Sequence, residues 1–208
     1  MGTELFLIRH GETTWNVSGK VQGCTDIPLS KNGYEQAKLA SAKLKDSFDV
    51  VYCSPLIRAR ETANIICNGT NITPKILDEI REINFGEWEG LDFKEINKLY
   101  PNEFSLWIND KINAPLVGGE KSIKLASVRA KNCLYKTIQE NENKRIAIIA
   151  HGGIIKAALI GLFNWDMTMY HKLSIGNTSI SKLYIKDVNN LERIKLVYFN
   201  DTNHLNNY

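Results

Sequence analysis

The sequence predicts an α/β fold in three layers, with a mostly parallel central sheet, helices on both faces and a helical insertion at about 87–120 over one end of the sheet. Three observations predict it. Short apolar runs alternate with segments whose apolar residues recur at helical spacing. The strongest run, Arg145 to Ala150, is apolar after its first residue, as a strand covered on both faces must be. Turn residues such as Asn68-Gly69 and Gly152-Gly153 punctuate the segments, and no repeat or low-complexity linker divides the chain.

The elements follow in order. Glu4 to Ile8 reads as a buried strand. Ser30 is a candidate N-cap, and Ala37, Ala40 and Leu44 mark a helix running to about Asp46. Phe48 to Cys53 is a second strand. Pro55 opens a helix with Ala59, Thr62, Ala63 and Ile66 on one face, stopped by Asn68-Gly69. Lys75 to Leu77 reads as a short third strand. Residues 92–112 look helical but broken at Pro101. Ile123, Ala126, Ala130, Cys133 and Ile138 keep helical spacing. After Arg145 to Ala150 comes an apolar helix to about Phe163, then two β-like runs, Ser179 to Ile185 and Glu192 to Phe199, around a turn at Asp187 to Asn190.

The 208 residues suffice for one domain spanning 1–208. With 43% hydrophobic and 24% charged residues, the composition is that of an ordinary globular chain. The net charge of +3 is spread along the chain, so nucleic acid is not an expected partner. No apolar run approaches the roughly 18 residues that span a bilayer, and the N-terminal run is too short for an export signal, so neither a membrane nor export is expected. Four scattered cysteines without a CxxC pair fit reduced thiols and a cytoplasmic location.

Ligands of such sheets bind beyond the carboxyl ends of the strands. Three predicted strand ends carry suggestive residues: Arg9-His10-Gly11, then Cys53-Ser54-Pro55 with Arg58 and Arg60 in the next helix, then Ala150-His151-Gly152-Gly153. Two histidines and at least two arginines would converge on one rim. A phosphate monoester needs forked cationic donors, which arginine supplies. Gly11 and Gly152 would let the backbone approach, and helix starts there would aim N–H groups at the anion. One neutral histidine could attack phosphorus, and the second, as a cation, would stabilise the transition state. A carboxyl group would protonate the leaving oxygen and then activate water. Zinc is the competing use for two histidines, but no acidic or cysteine residue stands at metal-ligand spacing.

The sequence resembles the histidine phosphatase superfamily, the phosphoglycerate-mutase-like enzymes. The resemblance rests on Arg9-His10-Gly11-Glu12-Thr13 with Trp15-Asn16, then Ser54-Pro55-Leu56 with Arg58-Ala59 and Thr62-Ala63. Arg81-Glu82-Ile83 with Trp88-Glu89-Gly90, Gly118-Gly119-Glu120 and Ala150-His151-Gly152-Gly153 complete it. It implies His10 as a nucleophile forming phosphohistidine, with Arg9, Arg58 and a charged His151 binding the phosphoryl group. It implies Glu82 as the acid/base, ahead of Glu79, Glu87 and Glu89, and Asn16, Thr13, Gly23 and Gly152 as substrate-binding residues. No cofactor and no metal are expected. Arg60, two residues from Arg58, faces elsewhere.

The run Ile80 to Gly90 is similar to the phosphatase branch and lacks the asparagine-glutamate-arginine-histidine run usual in mutases. The expected function is metal-independent hydrolysis of a small phosphate monoester, with α-ribazole 5'-phosphate as one candidate. A cofactor-dependent phosphoglycerate mutase and a non-catalytic phosphate-binding regulator are the alternatives. Phe93, Ile96, Leu99, Tyr100, Phe104 and Trp107 would either shape the leaving-group side or form plain core. His171 and His204 lie outside the motifs and are read as non-catalytic.

Overall fold

The structure, a computed structural model, describes residues 2–190 and 193–206. Its strands are β1 (Thr3–Arg9), β2 (Val50–Cys53), β3 (Lys75–Ile76), β4 (Arg145–Ala150), β5 (Ile180–Ile185) and β6 (Lys195–Asp201). Its helices are α1 (Thr14–Val17), α2 (Lys31–Lys43), α3 (Ile57–Cys67), α4 (Phe93–Leu99), α5 (Pro101–Asn109), α6 (Ile123–Gln139), α7 (Gly152–Phe163) and α8 (Met169–Lys172). The sheet order is β3-β2-β4-β1-β5-β6. β3, β2, β4 and β1 are parallel, while β5 pairs antiparallel with both β1 and β6. Only β5 therefore runs against the others.

The two-residue period of the strands builds the layers. Leu5, Leu7, Ile146 and Ile148 share one buried cluster with Ala126, Ala130 and Leu134 of α6 and Ile154 and Ala158 of α7. Phe6, Ile8, Ala147 and Ile149 share the other with Ala40 of α2 and Ala59, Ala63 and Ile66 of α3. Each leucine or isoleucine so buried contributes roughly 1.5–3 kcal/mol. Alanines on the helix faces let the helices lie close to the sheet.

The predicted boundaries shift slightly. Ser30 caps α2 by accepting from the Gly33 N–H, but the helix ends at Lys43 rather than near Asp46. Phe48 precedes β2 and packs edge-on against Phe6, with ring centroids 5.1 Å apart. α3 begins at Ile57, two residues after Pro55. The last strand begins at Lys195, and the expected start at Glu192 lies outside the described residues.

The insertion is helical as predicted. Asp92 caps α4 in a capping box with Glu95, and Pro101 takes the first position of α5, where its missing N–H costs nothing. Ile96 and Trp107 are buried in the same cluster as Ile146, whereas Phe93 is 50% exposed. The aromatic residues thus divide between core and surface. Among the described residues, no helix is long and apolar enough to cross a membrane.

Candidate active site

Register brings the three strand ends together. Arg9 pairs with Ala150 and Cys53 with Ile149. His10 continues the ladder by donating its N–H to the Ala150 carbonyl at 2.9 Å, and Ser54 does the same to Ile149 at 3.0 Å. His10 and His151 consequently stand with ring centroids 5.1 Å apart, and His10 lines a cavity of about 510 Å³. Arg9, His10, Asn16, Gly23, Arg58, Glu82 and Gly152 all line it.

The hydrogen bonds fix the state of each group. His10 Nδ1 lies 2.6 Å from the Gly11 carbonyl, which can only accept. Nδ1 therefore carries the proton and Nε2 keeps its lone pair. Burial, then Arg9 and Arg58, push His10 well below the ordinary histidine range, so the ring is neutral.

His151 overturns an expectation. Arg58 Nε, which can only donate, lies 3.1 Å from His151 Nδ1, and His151 Nε2 lies 2.7 Å from Ser54 Oγ. Nδ1 accepts, so the proton is on Nε2 and the ring is neutral. Burial, then Arg58, hold it well below the ordinary range. His151 is fully buried and does not line the cavity. It orients Arg58 rather than supplying a charge of its own.

Arg58 spends its other donors on the loop opposite: Nη1 on the Thr25 carbonyl at 2.9 Å and Nη2 on the Gly23 carbonyl at 2.7 Å. Of the five N–H groups of a guanidinium, two remain for a ligand. Arg9 Nη1 donates to the Ile175 carbonyl at 2.6 Å, while its buried Nε has no partner among the described residues. An orphaned cationic donor at a cavity wall is a site for an anion.

Asn16 Oδ1 accepts from the Thr13 N–H, the Thr13 hydroxyl and Asn177 Nδ2. Asn16 itself lines the cavity. Thr13 is fully buried behind Asn16 and does not line the cavity, so its expected substrate contact becomes a cap that holds α1. Gly11 is likewise no phosphate cradle. Its N–H goes to Thr62 Oγ1, and a Cβ there would meet the Gly33 carbonyl oxygen at 2.5 Å. It is glycine so that two backbones can cross. Gly23 has φ +52°, and a Cβ would meet Glu89 Oε1 at 1.9 Å.

Glu82 occupies the amino end of α7. Oε1 accepts from the Ile154 N–H at 2.7 Å and the Ile83 N–H at 2.9 Å, and Oε2 from the Gly153 N–H at 3.0 Å. The helix start that the sequence assigned to phosphate holds this carboxylate instead, leaving Gly152 as the first residue facing the cavity. Oε2 keeps one lone pair for a proton. Its rivals are elsewhere: Glu79 and Glu87 are exposed, and Glu89 is consumed by Cys24, Thr25 and Phe85. Arg129 clamps Glu120 at 2.6 Å and donates to the carbonyls of Glu79 and Arg81, which fixes the segment carrying Glu82. Arg60 is exposed.

The cavity wall also contains Lys156, which the sequence reading did not single out, and His171, which it read as non-catalytic. Lys156 lies one turn into α7, a spacing that signals only a helix face. His171 sits outside every motif. It donates from Nε2 to the Trp107 carbonyl at 3.0 Å, and burial lowers its pKa. Among the described residues, no group of three or more histidine, cysteine or carboxylate side chains could hold a metal ion.

Comparison with known proteins agrees with this geometry. The family model described as the histidine phosphatase superfamily (branch 1) matches residues 5–202. A histidine-to-alanine variant of phosphoserine phosphatase from Entamoeba histolytica, solved in complex with phosphoserine, superposes with a TM-score of 0.90 at 37% identity, covering 98% of this chain and 99% of that one. Phosphoserine phosphatase 1 of Hydrogenobacter thermophilus is 31% identical over 99% of this chain and 95% of its own length. The adenosylcobalamin/α-ribazole phosphatase of Escherichia coli is 32% identical over 76% of this chain and 79% of its own.

Proposed function

The chain belongs to the histidine phosphatase superfamily (branch 1) and is a phosphatase, and from that premise we propose that it hydrolyses a small phosphomonoester through a phosphohistidine on His10, without a metal. The observation that carries this reading is the His10–Gly11 hydrogen bond, which leaves Nε2 as a lone pair in a cavity with an orphaned Arg9 donor.

In the first step His10 Nε2 attacks phosphorus and the ester P–O bond breaks. The Arg9 and Arg58 guanidinium groups and the Asn16 amide offset the charge on the non-bridging oxygens. A protonated Glu82 gives its proton to the departing oxygen. The Gly11 carbonyl stabilises the ring as its charge rises. In the second step Glu82 takes a proton from water, the water oxygen attacks phosphorus, and the N–P bond breaks. Inorganic phosphate leaves, and His10 and Glu82 return to their first states.

O-phosphoserine is the substrate we favour, supported by relatives of that name that align over almost the whole chain. α-Ribazole 5'-phosphate is a second reading. It draws support from the E. coli relative and from a hollow of about 310 Å³ beside the cavity, walled by Phe85, Phe93, Phe104 and Trp107, which suits a ring. Hydrolysis of p-nitrophenyl phosphate and both candidate esters in EDTA, by the native protein and His10→Ala, tests the proposal. Turnover in EDTA that vanishes in the variant supports it. Loss of activity in EDTA, or turnover by His10→Ala, overturns the mechanism. The better of the two esters by kcat/KM decides the substrate.

A further inference from the structure

We propose that Lys156 is the specificity-determining residue of the cleft, its ammonium pairing with a carboxylate on the leaving group, so that the enzyme selects phosphate esters of small hydroxy acids. The inference rests on the phosphatase reading above and adds the group that reads the rest of the substrate.

Three observations converge on Lys156. The first is its place. The cavity holding Arg9, His10 and Arg58 and the adjoining aromatic hollow share Phe85, Phe93, Lys156 and His171 as lining residues. Arg9 and Arg58 line only the first. Lys156 therefore stands where the phosphoryl end meets the leaving-group end. Helical side chains lean towards the amino end of their helix, and one turn back from Lys156 are Gly152 and Gly153, over which Arg9, Glu82 and Tyr170 pack.

The second is its missing counterion. Lys156 Nζ lies 3.9 Å from the centre of the buried Tyr170 ring and belongs to none of the ion pairs among the described residues. Burial lowers its pKa to about 8, against the attraction of Glu82, so it stays mostly protonated at neutral pH. A desolvated ammonium resting on a π-face still has N–H groups to give.

The third is the absence of a competing charge. His171 donates to the Trp107 carbonyl and is neutral at pH 7, since burial lowers its pKa. Lys156 is thus the single cation among the described residues lining the hollow. Lys20 lines the cavity but is exposed, against the Trp15 ring. Elsewhere among the described residues the wall of the hollow carries no charge, so an anionic leaving group has one cationic partner there.

O-phosphoserine and O-phosphoethanolamine differ by one carboxylate, so the ratio of their kcat/KM values isolates that group. The native protein should prefer O-phosphoserine by about 10- to 100-fold, the range of one charge-assisted hydrogen bond. Lys156→Met and Lys156→Gln should bring the ratio near one, and Lys156→Arg should restore most of it. A native ratio near one overturns the inference with no variant needed. So does a ratio that persists in Lys156→Met, or an equal loss on both esters, which would mean that Lys156 serves the phosphoryl group. If the native protein hydrolyses p-nitrophenyl phosphate while any of these occurs, the phosphatase reading stands and only the role of Lys156 falls. If it hydrolyses no ester, the phosphatase reading fails first.

Discussion

Replacing Glu82 by Gln separates its chemical role from its structural one. The structural cost follows from three accepted hydrogen bonds. A glutamine oxygen can keep those from Ile83 and Ile154, but its amide nitrogen then faces the Gly153 N–H, donor against donor. One buried N–H left unpaired costs about 1–3 kcal/mol, or about 2–12 °C in Tm for a chain of this size. The chemical cost is larger. Losing the general acid should lower kcat by about 10²–10⁴, equivalent to about 3–5 kcal/mol of barrier. The assay compares two leaving groups at a temperature well below the variant's Tm. p-Nitrophenolate departs readily without a proton, whereas the alkoxide of O-phosphoserine does not. Proton donation by Glu82 predicts a loss at least tenfold greater on O-phosphoserine. An equal loss of kcat/KM on both esters, which reports transfer to His10 and not the shared water step, would refute the acid role.

Two other predictions follow from the same geometry. His10 and His151 are both held below the ordinary value of about 6.5, chiefly by burial, so NMR titration of the native protein should show neither ring gaining a proton near that pH. The unfolded chain does take up those protons, so stability should fall as pH drops below about 6.5, and a His151→Gln variant that folds should lose less over that interval; identical pH dependence would contradict the neutral state. In Gly153→Ala, the new Cβ would lie 2.6 Å from Glu82 Oε1 and 2.8 Å from the Tyr170 hydroxyl. Displacing the carboxylate should lower kcat about 10- to 100-fold, and native kcat in this variant would show that the position of Glu82 is not limiting.

The elements and the rim were legible because both are local in sequence. A continuous apolar run marks a strand covered on both faces, alanines mark close-packed helices, and an Arg-His-Gly or His-Gly-Gly run marks a strand end. What the sequence hid depends on partners far along the chain. The neutral state of His151 is set by Arg58 and Ser54, 93 and 97 residues away. The capture of the α7 amino end by Glu82 spans 71 and 72 residues. Gly11 looked like a phosphate cradle because glycine after a strand end often is one, yet it serves a crossing with Gly33 that no local pattern announces. Lys156 and His171 enter the cleft only because α7 and α8 pack beside the insertion, a tertiary arrangement. The reversal of β5 also went unread, since a β-like run carries no direction.

The central claim is a covalent phosphoryl group on His10. Rapid mixing with ³²P-labelled substrate, alkaline quench and mass mapping of the labelled peptide tests it directly. The account predicts an alkali-stable, acid-labile label on the peptide containing His10, absent from His10→Ala. A label that withstands acid, that maps to another residue such as Ser54, or that persists in His10→Ala would contradict it.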